Sequence, residues 1–292
     1  MTPDANRAFA RYRAIDHILP AVARGYPPFS LPVDDLRGVF GQVDGFILDA
    51  FGVLNVGDGV LTRAVERVGQ MRAAGKRLVV LTNGASATAE QALAKYQGWG
   101  FDFTPDEVIS SRDLAGAVLV GRGGLWAAIA PEGAAFGDLD CEVRALDDSL
   151  LERADGFLFL GSQGWTPARQ AALVAALRER PRPVICANPD IVAPREGGFT
   201  WEPGHFAVDL PVPVEFHGKP FGGAFAAALA RLDLPAHRVA MVGDTLHTDI
   251  LGGRAAGCRT VLVAGHGFLA GLDPAPFITA CGIVPDFIAA RT

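Results

Sequence analysis

The chain has 292 residues, 50% of them hydrophobic and 20% charged, enough for one large core or for a core with a smaller second domain. Its net charge of −6 argues against a nucleic-acid binder working through a basic face. The same charge leaves room for a phosphorylated ligand, because a metal ion and one lysine set the local sign.

The first forty residues read as an extension: a helix is expected over 8–24, and Pro27, Pro28 and Pro32 stop any continuation. The segment 45–49 (GFILD) is then a continuously apolar strand ending on a carboxylate, as a central strand covered on both faces should be. A helix is expected over 63–74, with Gly75 as its stop, followed by a second buried strand at 77–82 and a helix over 87–97. Strands are expected at 116–121, 156–161 and 183–187, and a helix with proline in its first turn at 167–180. A helix at 222–232, a strand at 238–243, a helix from about 248 to 257 and a strand at 260–264 complete the alternation.

Alternating strands and helices predict an α/β protein with a Rossmann-like, doubly wound parallel sheet, whose site lies beyond the carboxyl ends of the strands. Asp49, Thr82 and Asp244 each terminate a separate apolar strand. The 33 residues from Asp49 to Thr82 hold little more than a helix and a strand, whereas the 137 residues from Thr82 to Lys219 have room for a whole α/β domain. The expected division is an extension at 1–40, a core at 41–105 and 206–292, and an inserted cap at 106–205.

Four segments carry a resemblance: FILDAFGVL (46–54), VLTNGAS (80–86), HGKP (217–220) and MVGDTLHTDI (241–250). In this order they resemble the motifs of haloacid dehalogenase-like hydrolases. They are most similar to the sugar- and nucleotide-phosphatase-like subgroup with a large C2-type cap, whose CANPD segment stands here at 186–190. The resemblance implies a phosphatase with Asp49 as nucleophile, acting on a small phosphorylated metabolite. Two carboxylates at adjacent strand ends, Asp49 and Asp244, suit Mg²⁺, which prefers a few carboxylates, waters and substrate oxygens. The family adds the backbone carbonyl two residues past the nucleophile, here that of Phe51. Thr82 with the amides of Asn83 and Gly84 would cradle the phosphoryl oxygens, and Lys219 would neutralise them and keep Asp49 ionised. Asp249 would orient metal-bound water or Lys219. Asp190, in the cap loop with Asn188, is a candidate for substrate recognition.

Phosphatases of this family carry a second aspartate two residues after the nucleophile, which protonates the leaving oxygen and then activates water. Phe51 does neither, and a missing general acid–base costs about 10²–10⁴-fold. Three readings stay open: a slow or selective phosphatase with His217, His247 or His266 as substitute acid; a dehalogenase, whose halide needs no proton; and a phosphometabolite-binding or regulatory protein with little turnover. The dehalogenase reading fits less well, since those enzymes carry their cap between the first two motifs and use no metal.

Cys141, Cys186, Cys258 and Cys281 lie far apart without metal-ligand spacing and read as reduced, packed thiols. The N-terminus lacks an apolar signal region and no apolar run approaches bilayer length, so a cytoplasmic protein without membrane or nucleic-acid partners is expected. Its oligomeric state, homo-oligomer included, stays open. The glycines of VGRGGLW (120–126) match no phosphate-loop spacing and read as a turn. The four tryptophans read as packing residues.

Overall fold

A computed structural model describes residues 3–292. In chain order, α1 (Ala5–Ala14) and β1 (Leu31–Val33) precede β2 (Gly45–Leu48) and the hairpin β3 (Asn55–Val56)–β4 (Gly59–Val60). Then come α2 (Ala64–Ala73), β5 (Arg77–Thr82), α3 (Ala89–Gly98), β6 (Val108–Ser110) and α4 (Ser111–Leu119). The middle of the chain forms β7 (Leu125–Ile129), β8 (Glu142–Ala145), α5 (Leu150–Arg153), β9 (Gly156–Phe159), α6 (Pro167–Glu179) and β10 (Val184–Cys186). The hairpin β11 (Val192–Arg195)–β12 (Gly198–Trp201), α7 (Pro203–Ala207) and β13 (Val214–Phe216) follow. The chain closes with α8 (Gly222–Leu232), β14 (Val239–Gly243), α9 (Leu251–Ala255), β15 (Arg259–Val263), α10 (Ala275–Cys281) and β16 (Phe287–Ala289).

Two parallel sheets organise these elements. Seven strands in the order β1-β16-β15-β14-β2-β5-β6 form one, and β13-β10-β9-β7-β8 form the other. The central strands of the first are apolar through their middle residues because alternate side chains enter different cores. Phe46, Leu48, Val80 and Val242 pack on one face, and Ile47, Val79, Leu81 and Met241 on the other. The second sheet repeats this with Phe157 and Phe159 against Leu158 and Leu160. The adjacency β14-β2-β5 sets Asp244, Asp49 and Thr82 side by side at one end.

Several expectations shift. The stretch expected as a strand at 116–121 is the end of α4 and the turn that follows it. The start of α4 is fixed by a capping box in which Ser110 Oγ accepts from the Asp113 amide while Asp113 accepts from the Ser110 amide. The glycines at 121–124 therefore turn the chain from a helix, not a strand, into β7. The helix expected over 8–24 begins earlier, capped by Asp4, and ends at Ala14. The helix expected from 248 opens as a π-helical turn over Leu246–Ile250. β6 pairs with β5 in the large sheet, and the second sheet runs from Leu125 to Phe216, later at both ends than 106–205.

Residues 3–40 are built into the molecule. β1 adds an edge strand beside β16, and α1 buries Ala5, Ala8 and Tyr12 against Leu246, Ile250 and Phe268. From the same helix the Tyr12 hydroxyl accepts from the Ile191 amide at 3.1 Å, and Arg11 pairs with Asp209 at 2.6 Å. The helix thus bridges the two sheets' domains. Among the described residues, no helix is long and apolar enough to cross a membrane.

Candidate active site

Asp49, Asp244 and Asp249 converge at the strand ends, each with one carboxylate oxygen within 4.8 Å of the others', and all three are buried. Lys219, 1% exposed, reaches in from the loop before α8. Its Nζ lies 2.6 Å from Asp49 Oδ1 and 2.7 Å from Asp249 Oδ1. Burial drives Asp49 and Asp244 above the usual carboxylate range, and their mutual repulsion adds to the rise at Asp244, while Lys219 opposes it at Asp49. Lys219 is itself raised, since its carboxylate partners outweigh its burial.

Three buried carboxylates facing one ammonium leave about two negative charges uncompensated, which is unstable in a low-dielectric interior. A divalent cation fits that deficit, and oxygen donors are what a hard cation such as Mg²⁺ takes. Asp249 is the least free of the three. Its Oδ2 accepts from the Thr245 amide at 3.0 Å and its Oδ1 faces Lys219, so it acts through its neighbours. Asp244 is held by Thr245 Oγ1 at 2.8 Å and by the Phe268 amide at 2.7 Å. Backbone closes tightly around it. At Gly267, φ +70°, a Cβ would stand 1.8 Å from Asp244 Oδ2, and at Gly52, φ +77°, 2.4 Å from the same atom. Only glycine fits such positions, and in the sequence neither Gly52 nor Gly267 stood out as a neighbour of Asp244.

Thr82 Oγ1 accepts from the Gly84 amide at 3.1 Å, so that loop folds over its own strand end. Asn83 is a clamp across 136 residues of sequence. Its Oδ1 accepts from the Lys219 amide at 2.7 Å and its Nδ2 donates to the Lys219 carbonyl at 2.9 Å. The same Nδ2 donates to Asp190 Oδ1 at 2.8 Å, which brings the CANPD loop onto the core. Burial pushes Asp190 up to about 7, against the pull of Lys219 and Asn83.

Above these groups lies a cavity of about 910 Å³ between the two domains, lined by Asp49, Phe51, Thr82, Asn83, Gly84, Asp190 and Asp244. Lys95, Arg195 and Glu202 line it too, and they carried no signal in the sequence. So do Trp99, Trp165 and Trp201, which had read as packing residues. No histidine among the described residues lines it. His247 is instead buried against Tyr12, ring centroids 4.9 Å apart and nearly parallel, and burial lowers it to about 3. His217 lies 3.9 Å from Glu215 and is lowered by burial, as is His266.

Comparisons with known proteins agree with this geometry. Residues 46–135 match the family described as haloacid dehalogenase-like hydrolase, and 216–273 match an HAD-hydrolase-like family. An acid sugar phosphatase of Staphylococcus aureus is 27% identical over 242 residues, 76% of this chain and 86% of the relative. A solved structure described as a possible sugar phosphatase from Cytophaga hutchinsonii superposes with a TM-score of 0.77 at 26% identity, covering 90% of this chain and 98% of the other. A glycerol phosphate phosphatase from Mycobacterium tuberculosis in complex with magnesium gives 0.69 at 25% identity, covering 87% and 76%. With its parallel α/β core, its strand-end carboxylates and these matches at both ends of the core, the chain belongs to the haloacid dehalogenase-like hydrolases.

Proposed function

We propose that this enzyme is a Mg²⁺-dependent phosphatase of small phosphomonoesters that works through an aspartyl-phosphate on Asp49. The observation that carries the reading is the buried cluster of Asp49, Asp244 and Asp249 around Lys219 at the floor of an interdomain cavity. Asp49, Asp244 and the Phe51 carbonyl would hold the ion, which supplies positive charge that keeps the carboxylates ionised and offsets charge on the phosphoryl group. The sugar phosphatase relatives support the substrate class.

In the first step a carboxylate oxygen of Asp49 forms a bond to phosphorus as the bond to the leaving oxygen breaks, and that oxygen departs with the electron pair. Lys219 neutralises the phosphoryl oxygens and holds Asp49 in place. Thr82 and the Asn83 amide orient the group, and the Gly84 amide, which donates to Thr82 Oγ1, holds that hydroxyl in place. In the second step water attacks phosphorus, Asp49 leaves as carboxylate and inorganic phosphate is released.

Turnover is slow for alkyl phosphates in this reading, because Phe51 carries no proton and no histidine among the described residues lines the cavity. Asp190, raised by burial and lining the cavity, is the candidate proton donor that remains. Good leaving groups, which need little protonation, are then turned over best. The test is Mg²⁺-dependent hydrolysis of p-nitrophenyl phosphate by wild type and Asp49→Asn. The reading expects metal-dependent turnover that the variant lacks. Turnover surviving in Asp49→Asn, metal-free chloride release from 2-chloroacids, or tight metabolite binding with no turnover would each overturn it.

A further inference from the structure

The hairpin β11–β12 brings Arg195 to the cavity, where its guanidinium carbon stands 5.1 Å from the centroid of the Phe51 ring. Its Nε donates to Thr200 Oγ1 and its Nη2 to Glu202 Oε1, both at 3.2 Å. Glu202 is itself fixed: its carboxylate accepts from Thr200 Oγ1 at 2.7 Å and from Asn188 Nδ2 at 3.2 Å. The guanidinium thus lies over an aromatic ring and pairs with a buried carboxylate. Nη1 has no protein acceptor among the described residues, and the side chain is 41% exposed. An arginine held in this way keeps its charge and loses little freedom on binding an anion.

A second cation faces the same cavity. Lys95 Nζ sits 4.9 Å over the Trp99 ring and pairs with the exposed Asp58 at 2.9 Å. The cavity therefore has carboxylates around Lys219 at its floor and, on its Phe51 side, two cations each paired with one carboxylate, Arg195 with Glu202 and Lys95 with Asp58. Phe51 is also the residue that departs from the family's pattern. An aspartate there would meet Arg195 and each would cancel the other's charge, whereas a phenyl ring supports the cation and leaves its Nη1 without an acceptor. Phe51 is two residues from Asp49, at most roughly 7 Å of chain, and Arg195 stands 5.1 Å from its ring in the same cavity, so Arg195 is placed to meet the far end of a small molecule.

We propose that the substrate carries a second anionic group, a carboxylate or a second phosphate, which Arg195 binds while the phosphoryl group faces Lys219. This rests on the phosphatase reading and names its substrate class. Phe51 and Arg195 then form a matched pair in which the position of the family's acid has been given over to recognition.

The experiment compares kcat/KM for 3-phosphoglycerate against glycerol 3-phosphate, which differ in a carboxylate, and for fructose 1,6-bisphosphate against fructose 6-phosphate, which differ in a phosphate. Wild type should prefer the more anionic member of at least one pair, and which pair identifies the second anion. Arg195→Gln should lower kcat/KM for that member by about 10- to 100-fold, mainly through KM, and for its partner by much less. Arg195→Lys keeps a cation beside Glu202 and should recover part of the loss, which separates recognition from a hairpin disturbed by an unpaired buried carboxylate. Equal losses within each pair, or no wild-type preference, would overturn the proposal while leaving the phosphatase reading intact. No Asp49-dependent turnover of any of the four would overturn both.

Discussion

Replacing Lys219 with methionine keeps most of the side chain's volume and removes the ammonium that faces Asp49 at 2.6 Å and Asp249 at 2.7 Å. With Lys219 1% exposed, its carboxylates gain no water in exchange. Breaking a buried pair by removing one partner costs about 3–5 kcal/mol. At roughly 2 °C per kcal/mol for a chain of this size, that lowers Tm by roughly 6–10 °C. The loss has a pH signature. Without Lys219 the folded-state carboxylates bind protons still more tightly than they do unfolded. Stability is then fully present below their unfolded values near 4 and lost as pH rises through the raised folded ones. The gap between variant and wild type should therefore be wider at pH 9 than at pH 5.5, and added Mg²⁺ should narrow it. Phosphatase activity should fall at least about 10²-fold, the cost of losing a preorganised charge at the phosphoryl group. The assay is thermal unfolding at both pH values with and without Mg²⁺, beside hydrolysis of p-nitrophenyl phosphate. A Tm gap that is absent, or equal at both pH values, would refute the charge argument.

Gly267→Ala places a Cβ 1.8 Å from Asp244 Oδ2 at φ +70°, so the chain should fold but hold Mg²⁺ about 10- to 100-fold more weakly. An unchanged Mg²⁺ half-saturation of activity would contradict this. His247 is depressed to about 3 when folded against about 6.5 unfolded, so the unfolded chain takes up the proton first and stability falls as pH drops below 6.5. The loss is about 1.4 kcal/mol per pH unit, or roughly 2 kcal/mol by pH 5. In His247→Phe, which keeps the stack on Tyr12, chemical denaturation should show a shallower slope between pH 7 and pH 5; an unchanged slope would place the titration elsewhere. Phe51→Asp alone should gain little, because Arg195 would hold the new carboxylate ionised. The double variant Phe51→Asp, Arg195→Gln should gain toward the about 10²-fold that a general acid supplies. Equal activities of single and double variants would show that Arg195 does not govern that position.

The large sheet was readable because its central strands are apolar on both faces and each ends on a polar group. Strand adjacency then brings Asp49, Thr82 and Asp244 together without any fine geometry. What escaped were contacts between distant segments. Nothing local to Asn83 marks it as the clamp on Lys219, and nothing local to Tyr12 marks it as the partner of Ile191, 179 residues on. Arg195 was invisible for the same reason: a short hairpin brings it over Phe51 from the other domain. His247 shows the converse, since closeness in sequence to Asp244 does not aim a side chain at the site. The π-helical turn sends it toward α1. The stretch at 116–121 has too few residues for periodicity to separate strand from helix, and the capping box at Ser110 and Asp113 was the signal that decided it.

In this mechanism Asp49 becomes phosphorylated during turnover. Acid-quenching the enzyme in the steady state with p-nitrophenyl phosphate and Mg²⁺, followed by peptide mass spectrometry, reads that intermediate out. With Phe51 unable to activate water, phosphoenzyme should accumulate on the peptide containing Asp49 and be absent in Asp49→Asn. Hydrolysis with no phosphoryl group on that peptide, or with one on another residue, would contradict the account.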